Sequence, residues 1–375
     1  MTALPDIPRW DDHPDLALRP LPGDLEAEVC VIGLGGTGLS CITELLDLGA
    51  RSVIGIDAVG VAAGAAGRNG GLLLSGTAEY HHDLVRLIGR DRAVALTRLT
   101  NEEIGRIAAQ APRAVRATGS LRIAASEPEL EDCEAQRTRM VADGFACEPY
   151  DGPEGRGILI PTDAVMQPLR RCRTLASFAL QRGAQLHART RALEVAPGVV
   201  RTDRGTIRAR HVIVCVDGRL ERVLPALAGT VRTARLQMLA TAPTPEVRFP
   251  RPVSTRYGYD YWQQLPDGSV LLGGGRDLTP ETEWTSDSTP SATVQDYLTR
   301  TLRERLGVRA EVTHRWGAAV AYTETGLPVL RDLGDGLQVM GAYSGTGNVI
   351  GALCGRAAAQ RARAGRSAIA DLLTD

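Results

Sequence analysis

The sequence predicts an α/β protein in which a parallel-sheet domain is joined to a discontinuous second domain built on an antiparallel sheet. Three observations carry that expectation. Near the start, a short apolar strand runs straight into a glycine-rich turn and an amphipathic helix; a middle segment alternates apolar and polar residues between tight-turn signals; a second strand, glycine-rich turn and helix close the chain.

Residues 27–32 (AEVCVI) form a continuous apolar run ending in glycine, as a strand buried on both faces of a parallel sheet reads. Gly33-Leu34-Gly35-Gly36-Thr37-Gly38 follows, then LSCITELLDLGA, with helical apolar spacing through Leu39, Ile42, Leu45, Leu46 and Leu48 and Gly49 placed to stop it. A second strand, SVIGID, ends in Asp57. This is a Rossmann-type βαβ opening with a GxGxxG turn. The glycines let a pyrophosphate approach backbone N–H groups at the positive end of a helix, and a carboxylate at Asp57 can accept ribose hydroxyls. Residues 60–71 (GVAAGAAGRNGG) are nearly all small, which suits backbone lying against a flat or anionic ligand. Arg68 and Asn69 are the long polar side chains there, within reach of phosphate or ring edges.

Residues 82–148 read as helical and arginine-rich, broken by the strand-like SLRIAAS. A strand–loop–strand set spans 192–214, and its last strand stops at Asp217-Gly218, where a parallel strand points at a ligand. Residues 230–275 alternate like an antiparallel sheet, with a turn at Pro266-Asp267-Gly268. The chain returns through LQVMGAY and SGTGN to a helix over 349–363. The expected organisation is an N-terminal arm at 1–24, a dinucleotide-binding domain from 25–85, 155–228 and 315–375, and a second domain from 86–154 and 229–314.

Composition excludes several classes. The net charge is −1, from 43 basic and 44 acidic residues with no block of one sign, which offers no footprint for nucleic acid or an anionic membrane. Every basic residue is arginine; there is no lysine. The seven cysteines are scattered without a CxxC pair and read as reduced, buried thiols of a cytoplasmic protein. The first twenty residues read as a solvent-exposed arm rather than a signal peptide. No apolar run approaches the ~20 residues of a membrane-spanning helix. The histidines are scattered apart from His81-His82, so no metal site is expected.

Together GLGGTG with Asp57, GAAGRNGG, HVIVCVDGRLERVLPAL, PDGSVLLGGGRD, RWGAAVAYTETGLPVL and MGAYSGTGNVIGALCGRAAA resemble the D-amino-acid-oxidase-like FAD oxidoreductases, most of all the glycine oxidase, sarcosine oxidase and gamma-glutamylputrescine oxidase branch. The resemblance implies a discontinuous FAD domain under a substrate domain whose sheet covers the isoalloxazine. The FAD-binding candidates are Gly33, Gly35, Gly36, Thr37, Gly38, Asp57 and Ala58 at the first turn; Gly64, Ala66, Gly67, Arg68, Asn69, Gly70 and Gly71 in the small-residue loop; Val195, Asp217 and Gly218; and Gly341, Ser344, Gly345, Thr346, Gly347, Asn348 and Val349 at the last turn. Ser344–Asn348 opens a helix whose N-terminus would stabilise reduced, anionic flavin.

Departures from the pattern carry information. Where sarcosine oxidases attach flavin through a cysteine, this chain has Val320, and residues 63–71 lack the family's attaching histidine, so FAD is expected to be non-covalent. Some amine oxidases of this group use a lysine over the flavin to promote reaction with oxygen; none is present here. Flavin oxidation of an amine needs little from a protein base, so the expected site is one of shape and aromatic contacts. Tyr257, Tyr259, Tyr261 and Trp262 concentrate the scarce aromatics, and strand periodicity puts the three tyrosines on one face, a wall for an amine or simply a packed sheet face. Arg256 and Arg276 flank it as candidate carboxylate anchors. Tyr322 matches a family tyrosine near the flavin and Trp316 a position where the family also has tryptophan; core packing is the equal alternative for each. The expected chemistry is oxidation of a C–N bond to an imine with O2 reduced to H2O2. The alternatives are an amine dehydrogenase with another electron acceptor, an NAD(P)-linked dehydrogenase, and a subunit with structural FAD.

Overall fold

The computed structural model describes residues 6–11 and 15–374. Strand β1 (Leu25–Ile32), helix α1 (Gly36–Asp47) and strand β2 (Val53–Ile56) form the βαβ opening. All four residues of β2 and the last four of β1 are buried, as their unbroken apolar runs require. The parallel core of the first sheet runs Leu337–Gly341, Thr206–Cys215, β1, β2 and Gln185–His187, so the carboxyl ends of strands from distant parts of the sequence meet along one edge. Three antiparallel strands, Ala192–Ala196, Val199–Thr202 and Val329–Asp332, flank it.

Both faces of this sheet are covered. On one, Val29, Val31 and Ile213 pack under α1, Pro168–Gln181 and Ile350–Ala364; on the other, Ile54, Ile56 and Val214 meet Leu220, Leu224 and Leu227. α1 and Ile350–Ala364 touch through glycines: a Cβ on Gly355 would lie 2.2 Å from the Thr37 carbonyl oxygen and one on Gly351 2.7 Å from Thr37 Oγ1. The second sheet has eight strands, in the order Val312–Tyr322, Arg232–Pro243, Ser269–Gly273, Asp260–Gln264, Val253–Thr255, Ser120–Ile123, Gly155–Ile160 and Glu148–Gly152. A small third sheet (Leu72–Leu73, Ala164–Met166, Val115–Arg116) completes the strands named in the described residues.

Four expectations need correction. The second sheet is not wholly antiparallel, because Val253–Thr255 pairs parallel with Ser120–Ile123. Residues 155–160 and 315–322, placed with the dinucleotide-binding part, are strands of this second sheet; their apolar runs suit either sheet, and pairing with Ser120–Ile123 and Arg232–Pro243 decides. Helix Arg90–Gln110, placed with the second domain, packs Ala93 and Leu96 into the core of the first. The arm is not simply exposed: Trp10, Leu18 and Leu21 are buried, and Trp10 Nε1 donates to the Asn69 carbonyl at 2.7 Å. Its prolines and aspartates misled, because three large apolar residues decide where such a segment lies. Residues 1–5 and 12–14 of that arm lie outside the described residues. No described helix is long and apolar enough to cross a membrane.

Candidate active site

The carboxyl ends of β1, β2 and Thr206–Cys215 open into a cleft of about 740 Å³ that continues to the second sheet. At its floor, Gly33 has φ +106, and a Cβ there would lie 2.4 Å from the Cys215 carbonyl oxygen; one on Gly38 would lie 1.9 Å from the Gly33 carbonyl oxygen. Only glycine permits strand, turn and helix to pass in backbone contact. Gly35, the N-cap of α1, offers no side-chain cap, and the first turn carries no acid. The leading N–H groups of α1 therefore face the cleft ready for an anion. The Asp57 carboxylate accepts N–H bonds from Leu34 (3.0 Å), Val59 (2.8 Å) and Gly60 (3.0 Å). Of roughly four lone-pair positions on a carboxylate, that leaves one for a ligand hydroxyl. Burial raises its pKa above the ordinary carboxylate value while those bonds oppose the rise.

The small-residue loop is fixed by its two polar side chains. Arg68 Nε donates to the Gly317 carbonyl at 2.7 Å and its Nη2 pairs with Asp6; the Asn69 amide donates to the Ala65 and Ala66 carbonyls, both at 3.0 Å. Asn69 Oδ1 in turn accepts from Asn348 Nδ2 at 3.0 Å, which ties this early loop to the last glycine-rich turn. That turn is held from a third direction. Asp217, half-buried in the cleft wall, accepts the Tyr343 N–H at 3.1 Å and the Ala321 N–H at 3.3 Å, and desolvation pushes its pKa up to about 6. Helix Ile350–Ala364 starts directly behind, with no acid in its first turn.

At the far end the wall is aromatic. The Arg276 guanidinium lies 4.9 Å from the Tyr259 ring centre and 4.5 Å from that of Tyr322, and no described carboxylate pairs with it. The Tyr261 ring fits between Gly70 and Gly273, where a Cβ would meet it at 2.7 and 2.5 Å. Burial raises the pKa of the Tyr261 and Tyr322 phenols, so both stay protonated hydroxyls.

A strand–glycine turn–helix floor, a clamped small-residue loop and an aromatic end wall are the parts of a flavin oxidoreductase, and the comparisons agree. The family model for FAD dependent oxidoreductases, DAO, matches residues 28–361. The chain belongs to the DAO family of FAD-dependent oxidoreductases. It is 27% identical over 94% of its length to a probable oxidoreductase OrdL of Rhizobium meliloti, covering 86% of that protein. It is 26% identical over 90% of its length to the gamma-glutamylputrescine oxidoreductase of Escherichia coli, covering 84% of that protein. In fold it is similar to glycine oxidase from Geobacillus kaustophilus, with a TM-score of 0.78 at 19% identity over 93% of this chain and 98% of that one.

The residues of this DAO-family chain fit FAD: an uncapped helix N-terminus, a part-engaged carboxylate at the end of β2, and a cleft long enough to reach the aromatic wall. Of the residues picked out from sequence, Gly33, Gly35, Gly36, Thr37, Asp57, Gly64, Ala66, Arg68, Asn69, Gly70, Asp217, Gly218 and 344–349 line the cleft, as do Tyr259, Tyr261 and Tyr322. Others stand back. Gly38, Gly67, Gly71 and Gly341 press against the carbonyls of Gly33, Ala62, Met166 and Val216. Ala58 lies outside the lining, and Val195, on the edge strand Ala192–Ala196, packs on the far core.

Two of the catalytic candidates are displaced. Arg256 is no carboxylate anchor: its guanidinium is taken by Asp260 at 3.1 Å, by Asp277, and by Tyr297 Oη at 2.9 Å, away from the cleft. Trp316 is fully buried and donates from Nε1 to the Arg68 carbonyl at 2.8 Å, bracing the loop from beneath. The tyrosines do not share a strand face, because Arg256, Tyr257 and Gly258 all have positive φ and form a turn between two strands. Tyr257, Tyr259 and Tyr261 still reach the cleft, from that turn and the strand after it. Sequence reasoning missed Gln237, which lines the cleft and is locked by Glu283 and Ser291 Oγ, both at 2.7 Å. It also missed Arg171, one arginine among several in the stretch LRRCRTL.

Proposed function

We propose that this chain oxidises a C–N bond of an amine or amino acid to an imine, with FAD held without a covalent bond. The observation that carries this reading is Arg276 among the rings of Tyr259, Tyr322 and Trp284, at the cleft end opposite the first glycine-rich turn. Bound FAD would supply the hydride acceptor at N5 and pass the electrons to O2, giving H2O2. The protein's part is positioning. Arg276, its charge unpaired by any described carboxylate, can take a substrate carboxylate bidentately. The Tyr259 and Tyr322 faces hold that guanidinium in place and offer an amine a cation–π surface. Tyr261, wedged between two glycines, excludes water from the substrate side. The gamma-glutamylputrescine oxidoreductase relative supports an amine substrate. Val320 on the cleft wall and the histidine-free loop at 63–71 support non-covalent FAD. The lack of any lysine favours a second reading, in which an acceptor other than O2 takes the electrons.

The test is an absorption spectrum of the purified protein before and after acid precipitation, then anaerobic addition of an amine and amino-acid panel. A yellow protein whose flavin is released into the supernatant and bleached by one compound is expected. A coloured pellet overturns non-covalent binding; flavin that no amine bleaches overturns the C–N activity. Readmission of air separates O2 from another acceptor.

A further inference from the structure

Helix Pro168–Gln181 carries an arginine, Arg171, that is 1% exposed. Its Nη2 donates to Ser40 Oγ at 3.1 Å, its Nε has no hydrogen-bond partner, and no carboxylate among the described residues pairs with it. Glu103, the acid whose field reaches it, is already held by Arg356 at 2.6 Å. A buried cation without a counter-charge is costly, and burial lowers the pKa of this guanidinium. Such a group persists where an anion completes it.

The place where one would do so is defined. Arg171 is part of the cleft wall beside Gly35, Gly36 and Thr37. A Cβ on Gly36 would lie 3.1 Å from Arg171 Nη1, so the guanidinium sits against the first turn of α1 and only a missing side chain separates them. Gly36 and Ser40 are four apart on the same face of α1, and Ser40 fixes the guanidinium's other arm. The helix, twelve residues long, has no capping side chain and no acid at this end. Its N–H groups and a guanidinium with no counter-charge among the described residues therefore stand side by side in the cleft wall.

We propose that Arg171 is a buried counter-cation for the pyrophosphate of the bound dinucleotide, acting from beneath α1 alongside the glycine-rich turn. The proposal rests on the reading that this cleft takes FAD. It makes the first anion site two-sided, with helix N–H groups on one side and a fixed charge on the other. It also explains a small residue at position 36 by the room the guanidinium needs.

The test uses the full chain with its flavin removed, comparing wild type with Arg171→Met and Arg171→Lys. FAD affinity is read by flavin fluorescence quenching, and thermal unfolding is followed with no ligand, with ADP and with adenosine. Arg171→Met is expected to bind FAD about 10- to 100-fold more weakly, the range for one lost charge-assisted bond, with Arg171→Lys in between. ADP should raise the melting temperature of wild type but not of Arg171→Met, and adenosine should not distinguish them. The ligand-free Arg171→Met protein should melt at or above wild type, because an uncompensated charge has gone. Wild-type FAD affinity in Arg171→Met overturns the proposal, as does a lower ligand-free melting temperature with an undiminished ADP shift, which marks a purely structural arginine. A wild type that takes up no FAD yet shows the Arg171-dependent ADP shift overturns the FAD reading and leaves the anion site standing; one that responds to neither ligand overturns both.

Discussion

At the scale of the residue, chemistry and position part company most clearly among the arginines. Arg256 and Arg276 flank the same strands, and each has an aromatic ring beside it, yet two aspartates neutralise the first and no described carboxylate pairs with the second. Only the unneutralised one can bind an anion with gain. Arg276→Met should therefore raise KM for substrates that carry a carboxylate by about 10- to 100-fold. Amines lacking that group should turn over unchanged, and the flavin spectrum should be retained. Steady-state kinetics on one amino acid and its decarboxylated counterpart checks this, and an equal loss on both would remove Arg276 from substrate binding. Nothing in the sequence separated these two arginines, because Arg256 meets Asp260 and Asp277 from a turn of left-handed residues that strand periodicity did not anticipate. Arg171 was illegible for a similar reason: among neighbouring arginines of one helix, only packing against α1 sets it apart.

At the scale of the element, the site depends on how closely α1 and Ile350–Ala364 approach. Gly355 sits where its Cβ would press on the Thr37 carbonyl oxygen at 2.2 Å and the Cys41 nitrogen at 3.0 Å, both backbone atoms that cannot swing aside. Gly355→Ala must push the helices apart, at a cost of about 1–3 kcal/mol. Because Thr37 belongs to the cleft-lining turn, the same change should also weaken FAD binding. Urea unfolding of the flavin-free variant beside a FAD titration measures both, and an unchanged midpoint would show that the helices have slack. The sequence showed both helices and both glycine-rich turns, because apolar periodicity and turn residues are local signals. It could not show that the two helices are neighbours, since that contact joins residues more than three hundred positions apart.

At the scale of the whole molecule, two carboxyl groups with raised pKa shape stability, Asp163 in the interior and Asp217 at the cleft wall. Asp163 accepts Ser120 Oγ at 2.6 Å and the Ser75 N–H at 2.8 Å where the third sheet meets the second, and burial pushes its pKa from 3.8 to about 6. Asp217 is raised likewise, to about 6. Each binds its proton more tightly folded than unfolded, so the stability it contributes is complete below its unfolded value and is lost as pH rises through about 6. By about pH 7 Asp163 costs as much as about 3 kcal/mol relative to acid conditions. Asp163→Asn can still accept the Ser75 N–H at Oδ1 and can donate from Nδ2 to Ser120 Oγ, without a charge. Its unfolding midpoint in urea should fall less than that of wild type between about pH 4 and pH 7, and an identical fall would mean that Asp163 does not titrate in this range. The N-terminal segment also acts at this scale, with Trp10 buried on the small-residue loop and Asp6 paired to Arg68.

The sequence by itself determined the βαβ opening, the glycine turns, the carboxylate at the end of β2 and the DAO-type order of motifs, because each is written in residues that are close together in the chain. The tertiary structure decided which cleft arginines have no counter-charge among the described residues, which tyrosines face the cleft, which sheet takes residues 155–160 and 315–322, and where the arm lies. Those outcomes depend on charge pairing, burial and strand partnering between distant segments, and no local pattern of residue types records them.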